Sequence, residues 1–319
     1  MTSSLSRREL LTTAGMACGA GLVGAIPSTA PAAEPARTKD KPFGFSLNTS
    51  TIREQKVGIV REVEITAAAG YDAIEPWMGT LDEYVNGGGS LKDLGKRIRD
   101  LGLTVESAIG FAQWIVNDDL ARKNGLEQAK RDMETLTQIG GKRIAAPPVG
   151  AHDKPGPDLA TAALRYRALL ELGDQMGIIP ECEVWGFSKT LSRLGETVYV
   201  AIESRHPKAC VLPDVYHLYK GGSDFQGLKL LSGTAVQVFH INDYPAEPSR
   251  EMISDAYRVY PGDGVAPLKE ALRDLRLAGF RGFLSLELFN RDYWKQDPLA
   301  VAKTGLEKMK TVVAQSLEA

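Results

Sequence analysis

From Phe43 to the C-terminus, short apolar and β-branched runs alternate with longer stretches whose apolar positions recur every three or four residues. The runs predict strands over Phe43–Asn48, Asp72–Pro76, Thr104–Gly110, Arg143–Ala146, Ile178–Val184, Ala209–Asp214, Val236–Asn242 and Phe283–Phe289. The longer stretches predict helices over Lys56–Ala69, Leu91–Leu101, Asp119–Ile139, Asp158–Met176, Lys189–Ser204, Asp224–Leu231, Ala266–Leu277 and Leu299–Val313. Several helices stop at a glycine that leads into the next strand (Gly70, Gly102, Gly177, Gly279), as a left-handed helix end requires. Strands that are nearly continuous apolar runs are covered on both faces, which favours a parallel sheet. Eight β-α units make a single (β/α)8 barrel the expected fold. A doubly wound open sheet is disfavoured, because no G-x-G-x-x-G follows the first strand and Gly87-Gly88-Gly89 has no strand before it.

The first 42 residues break this rhythm. Ser6-Arg7-Arg8-Glu9-Leu10-Leu11 precedes a weakly apolar stretch to Ile26 and a Pro/Ala segment from Pro27 to Ala36, the layout of an export signal. The paired arginines resemble the twin-arginine translocation motif, so the export machinery is an expected partner and the periplasm the expected location. A processing site at Ala30-Pro31-Ala32 assigns residues 1–32 to the signal, 33–42 to a linker and 43–319 to the barrel; an uncleaved, membrane-tethered form is the alternative. Cys18 lacks the preceding aliphatic residue of a lipoprotein signal.

Composition narrows the function. The 319 residues are 43% hydrophobic and 24% charged, with a formal charge of −2, so nothing favours broad binding to a phosphate backbone. Three cysteines make no disulfide scaffold, and Cys182 and Cys210 are expected to be buried free thiols.

In a barrel of this kind the chemistry gathers at the carboxyl ends of the strands. Glu183, Asp214, His240 and Glu287 lie at the ends of the last four. An unpaired charge there would be costly. Three carboxylates and an imidazole suit a single divalent ion, with Mn²⁺, Co²⁺, Mg²⁺ and Zn²⁺ all acceptable. The bland alternative is four rim residues in separate salt bridges. Glu75, Trp77, Trp114 and Trp185 also follow strands and are candidates for framing a pocket. Glu106 is expected to be buried and paired, and His152 and His206 to be bystanders.

The segments His240-Ile241-Asn242-Asp243, Arg258-Val259-Tyr260-Pro261-Gly262-Asp263-Gly264 and Gly279-Phe280-Arg281-Gly282-Phe283, leading into Leu286-Glu287-Leu288-Phe289, resemble the xylose-isomerase-like barrel superfamily of sugar isomerases and epimerases, especially its inosose isomerase and keto-sugar epimerase branches. The resemblance implies one metal ion, Mn²⁺ foremost, held by Glu183, Asp214, His240 and Glu287. It implies that Glu183 and Glu287 also carry a proton to and from the carbon beside a carbonyl, through an enediolate, on a keto sugar or cyclitol. His217 matches a histidine that binds a substrate oxygen. Arg258 either grips a substrate group or braces its loop.

Loss of a β-hydroxyl at the same site would instead make a dehydratase or lyase acting on a 3-keto-glycoside or inosose. A sugar-binding barrel without catalysis is the distant alternative. Three features depart from the pattern: Asn242 stands where relatives commonly carry lysine, and Lys189 and Ala246 replace the glutamate and arginine of the ketohexose epimerases. A three-zinc DNA-repair endonuclease, which shares the fold, needs many histidines, and the chain has four. Family members are often dimers or tetramers, so a homo-oligomer is in keeping with the resemblance.

Overall fold

The computed structural model describes residues 41–318. The segment 1–32 expected to be a signal, and all of the expected linker except Lys41 and Pro42, lie outside the described residues.

Eight parallel strands form the barrel: β1 (Gly44–Asn48), β2 (Ala73–Glu75), β3 (Thr104–Val105), β4 (Arg143–Ala146), β5 (Ile179–Glu183), β6 (Val211–Leu212), β7 (Val238–Ile241) and β8 (Phe283–Leu286). They pair in the orders β3-β2-β1-β8-β7 and β4-β5-β6. Single parallel bridges close the two seams, Val105 to Gly141 on one side, and Val211 to Val236 with Asp214 to His240 on the other. The expected (β/α)8 barrel is thus the observed fold.

The outer layer holds α1 (Ile59–Ala69), α2 (Met78–Asn86), α3 (Leu91–Asp100), α4 (Asp119–Ile139), α5 (Leu159–Met176), α6 (Leu194–Glu203), α7 (Val215–Gly221), α8 (Leu268–Leu277) and α9 (Pro298–Leu317). Sequence chemistry sets many of their ends. Ser90, Asp118, Asp158 and Asp297 each accept a hydrogen bond from a backbone N–H of the first turn of the helix that follows. The four glycines expected at helix ends all have positive φ, from 71° at Gly177 to 95° at Gly279. Along α3, Leu91, Leu94 and Ile98 form one buried stripe beneath a charged outer face.

Several expected elements differ. β3 is two residues long, and Glu106–Gly110 continues as chain held by a bridge from Ile109 to Trp77. β6 stops at Leu212, because Pro213 has no N–H for the ladder and Asp214 already caps α7. The helix expected from Lys189 begins at Leu194, and that expected over Asp224–Leu231 is a 3₁₀ segment, Phe225–Leu230. Helices α2 and α7 were not expected.

Inside the barrel, Ile109, Ala145, Leu212 and Val238 form a small apolar plug. Two larger apolar clusters fill the space between sheet and helices. Cys182, in β5, and Cys210, just before β6, are buried free thiols. No helix among the described residues is long and apolar enough to cross a membrane.

Candidate active site

Each late strand delivers one chemically active side chain to the mouth. Asp214 follows β6, His240 lies within β7, and Glu287 follows β8; all three are buried. Their ligand atoms lie within 4.8 Å of one another.

His240 is held from below. Its Nε2 is 3.2 Å from Glu75 Oε1, and Glu75 is itself fixed by Asn48 Nδ2 at 2.9 Å and Ser285 Oγ at 2.6 Å. The opposite ring nitrogen, Nδ1, is buried and makes no hydrogen bond, although Glu287 Oε2 lies 3.3 Å away and Asp214 Oδ2 3.9 Å away. With a carboxylate behind Nε2, a neutral ring would turn the Nδ1 lone pair toward Asp214 and Glu287, which is how proteins present histidine to a metal. Burial opposes a charged ring, yet the carboxylates of Glu75 and Glu287 raise the His240 pKa well above its usual range. The same field favours any cation at this point. One nitrogen and two carboxylates therefore fit a divalent ion.

Asp214 is fixed twice over. Its Oδ1 accepts the His217 backbone N–H at 2.7 Å, and its Oδ2 accepts Asn242 Nδ2 at 2.9 Å. Asn242 Oδ1 in turn accepts the Tyr216 N–H at 3.0 Å. The asparagine that replaces the expected lysine thus ties β7 to the first turn of α7.

Arg258, fully buried, directs Nη1 to Asp214 Oδ2 and Glu287 Oε2, each at 2.8 Å. Its Nη2 donates to His217 Nε2 at 3.2 Å and to Asp255 Oδ1 at 2.5 Å. Burial works against its charge, but Asp214, Asp255 and Glu287 hold it firmly positive. Burial first, with Arg258 adding to it, pushes the His217 pKa down to about 4. A neutral His217 that accepts at Nε2 carries its proton on Nδ1, which has no protein partner.

Glu183 ends β5, 3% exposed, and differs from the expectation. It stands outside the 4.8 Å group formed by the other three. Burial raises its pKa well above the ordinary range; His240 opposes this, while Glu287 and Asp214 reinforce it. It is a buried acid whose neutral form is favoured, beside the group of Asp214, His240 and Glu287.

Other expectations are corrected or met. Glu75 does not line open space, because its oxygens are taken by Asn48, Ser285 and His240. Trp114 is 1% exposed, donates to Pro147 O and packs on Tyr166, so it belongs to the core rather than the pocket. Trp77 and Trp185, both half-buried, follow the carboxyl ends of β2 and β5. His152, expected to be a bystander, packs edge-on against Trp185 at 5.7 Å. His206 pairs with Asp174 away from the mouth. Glu106 is buried and paired with Lys142 and Arg143.

The sequence analysis did not single out Asn48, Ser285 or Asp255. Asn48 carries a legible signal, since it is a polar residue ending an apolar strand, as Glu287 nearly is.

A family model described as a xylose isomerase-like TIM barrel matches residues 63–312. The chain belongs to that family. An inosose isomerase of Bacillus velezensis is 25% identical over 273 residues, covering 84% of this chain and 96% of that protein. A 3-dehydroshikimate dehydratase of Pseudomonas aeruginosa is 25% identical over 251 residues, covering 78% of this chain but 39% of that protein. Among solved structures, the IolI protein with a zinc atom superposes with a TM-score of 0.80 at 22% identity, covering 85% of this chain and 98% of that one. An L-ribulose 3-epimerase superposes at 0.69 and 18% identity, covering 86% and 95%. The family's relatives are thus isomerases, epimerases and dehydratases built on this barrel.

Proposed function

We propose that this family member is a divalent-metal-dependent isomerase or epimerase that moves the proton beside the carbonyl of a keto sugar or cyclitol. The observation that carries the reading is the buried group of Asp214, His240 and Glu287, with His240 Nδ1 unbonded and Nε2 braced by Glu75.

A divalent ion held by those three would supply positive charge against the carbonyl and neighbouring hydroxyl oxygens of a substrate, acidifying the C–H between them. Mn²⁺, Co²⁺, Mg²⁺ and Zn²⁺ all suit the donor set. Glu183, buried at the edge of the group, hands the proton to carbon or takes it as general acid and base. Glu287 serves the other side while staying oriented by Asn48 Nδ2 at 3.1 Å. His217 offers its Nδ1–H to a substrate oxygen, and Arg258 keeps Asp214 and Glu287 in register.

A second reading, loss of a β-hydroxyl in a dehydratase or lyase reaction, is favoured by the resemblance to the 3-dehydroshikimate dehydratases. Two measurements decide: metal content of the purified protein, and NMR of keto sugars in D₂O with and without chelator. Metal-dependent deuterium uptake without water loss supports isomerisation or epimerisation; uptake with water loss supports the lyase. A metal-free protein that exchanges nothing after metal addition refutes both.

The Ser6-Arg7-Arg8-Glu9-Leu10 segment supports export through the twin-arginine machinery to the periplasm. Activity recovered only from the cytoplasmic fraction would refute that assignment.

A further inference from the structure

Above the charged floor, the mouth is lined by a nearly continuous collar of rings. Phe289 meets Trp77 at 5.9 Å between centroids, Trp77 meets Phe111 at 5.2 Å, and Phe111 meets Trp185 at 6.3 Å. Trp185 meets Phe187 at 5.2 Å, and Phe187 meets His217 at 5.5 Å. The Arg258 guanidinium, 5.0 Å from the centre of Phe289, closes the circle.

Two features divide the collar into tiers. Two indole N–H groups are taken up by the protein: Trp77 Nε1 donates to Asn48 Oδ1, and that of Trp294, which shares Arg53 with Trp77, donates to Ser50 O. These indoles therefore offer carbon faces to whatever enters. Meanwhile Phe111 and Phe187 project furthest, each 42% exposed. Arg53 lies flat over Trp77 at 4.8 Å, with its charge paired to Glu54. Exposed aromatic carbon grouped around a polar pit marks a binding surface. One polyhydroxylated ring satisfies the floor, and the exposed carbon faces of Phe111 and Phe187 offer a further apolar surface beside it.

We infer that the substrate has two linked rings: a keto-sugar ring on the floor and a second ring whose carbon face stacks on Phe111 and Phe187. This rests on the proposed site above and specifies its substrate class as a glycoside rather than a free sugar. The second ring's carbon face can come from another sugar or from an aryl group.

The test uses the metal-loaded full chain and three probes that all keep a free ring carbonyl: 3-keto-glucose, its phenyl glycoside, and its disaccharide with glucose linked through the anomeric carbon of the keto ring. Binding is followed by tryptophan fluorescence and reaction by deuterium uptake. At least one conjugate should bind about tenfold more tightly than the free sugar, and the tighter of the two identifies the second ring. In F111A/F187A, whose positions are exposed enough to tolerate truncation, that preference should fall to within about threefold. Equal binding of all three probes, or a preference that survives the double substitution, overturns the inference. Should the preference hold while no probe exchanges deuterium, the two-ring site stands and the proton-transfer reading falls. Exchange of the free sugar with no preference gives the opposite result.

Discussion

Glu106, beside β3, and Glu287, beside β8, are almost equally hidden from water, at 2% and 4% exposure. Their surroundings are opposite. Glu106 meets Lys142 at 2.9 Å and Arg143 at 3.3 Å, two cations for one carboxylate. Glu287 meets one guanidinium that it shares with Asp214, and it lies near Glu183 and His240. A buried acid with sufficient cations around it is a structural element. Buried acids gathered in excess around an imidazole form a place that attracts a cation. The difference lies in the count of neighbouring charges, not in residue type or burial.

The comparison is tested most strongly at Glu183. Glu183→Gln should lower deuterium exchange about 10²–10⁴-fold while metal content is retained, because Glu183 lies outside the three-ligand group. Loss of the metal together with the activity would make it a fourth ligand instead.

On the paired side, Arg143→Met leaves Glu106 with Lys142 as its remaining cation and should cost about 1–3 kcal/mol of stability, read as a lowered denaturant midpoint. Its metal content should match that of the unaltered protein; loss of metal at equal folding would erase the distinction between the two settings.

Glu62 supplies a third case, a buried acid with neither a cation partner nor a cluster. Burial first, and then Glu83, raises its pKa to about 7. Because the folded-state value is the higher one, the stability it contributes is complete below about pH 4.5 and is lost as the pH climbs to about 7. Up to about 3 kcal/mol is involved. Glu62→Gln should remove this decline, so denaturation of both proteins at pH 4.5 and 8 should show the variant gaining relative stability at the higher pH. A pH-independent difference would mean that Glu62 is not held neutral.

The mildest effect is expected one layer behind the site. Glu75→Gln replaces the carboxylate behind His240 and should weaken metal binding about 10–100-fold, measured by titration with the protein still folded. An unchanged affinity would show that the histidine needs no support.

Legibility from sequence followed the range of the interactions. The bounds of β4 and α4 match the expected ones at both ends, because a cap at Asp118 and the left-handed Gly140 end the helix locally. The order of acids and histidine along β5 to β8 was equally readable, because alternation along a strand fixes which residues face inward. Helices α2 and α7 escaped notice: each is at most nine residues long and sits where a strand had been expected to hand over to a loop. Trp114 was misplaced for a related reason. It follows β3 as Trp77 follows β2, and only the packing of Tyr166 from α5 shows that it turns into the core.

By itself, the chain's alternation of apolar runs and amphipathic stretches determined the barrel and the strand ends on which its acids and histidine stand, since backbone hydrogen bonding and side-chain periodicity act over a few residues. Tertiary structure alone decided which atoms meet. Asn48 reaches Glu287 across 239 positions of sequence, Arg258 enters from the loop after β7 to join Asp214 to Glu287, and rings from four strand ends make one collar. Those contacts follow from closing the sheet on itself, a constraint that involves every strand and leaves no mark on any single segment.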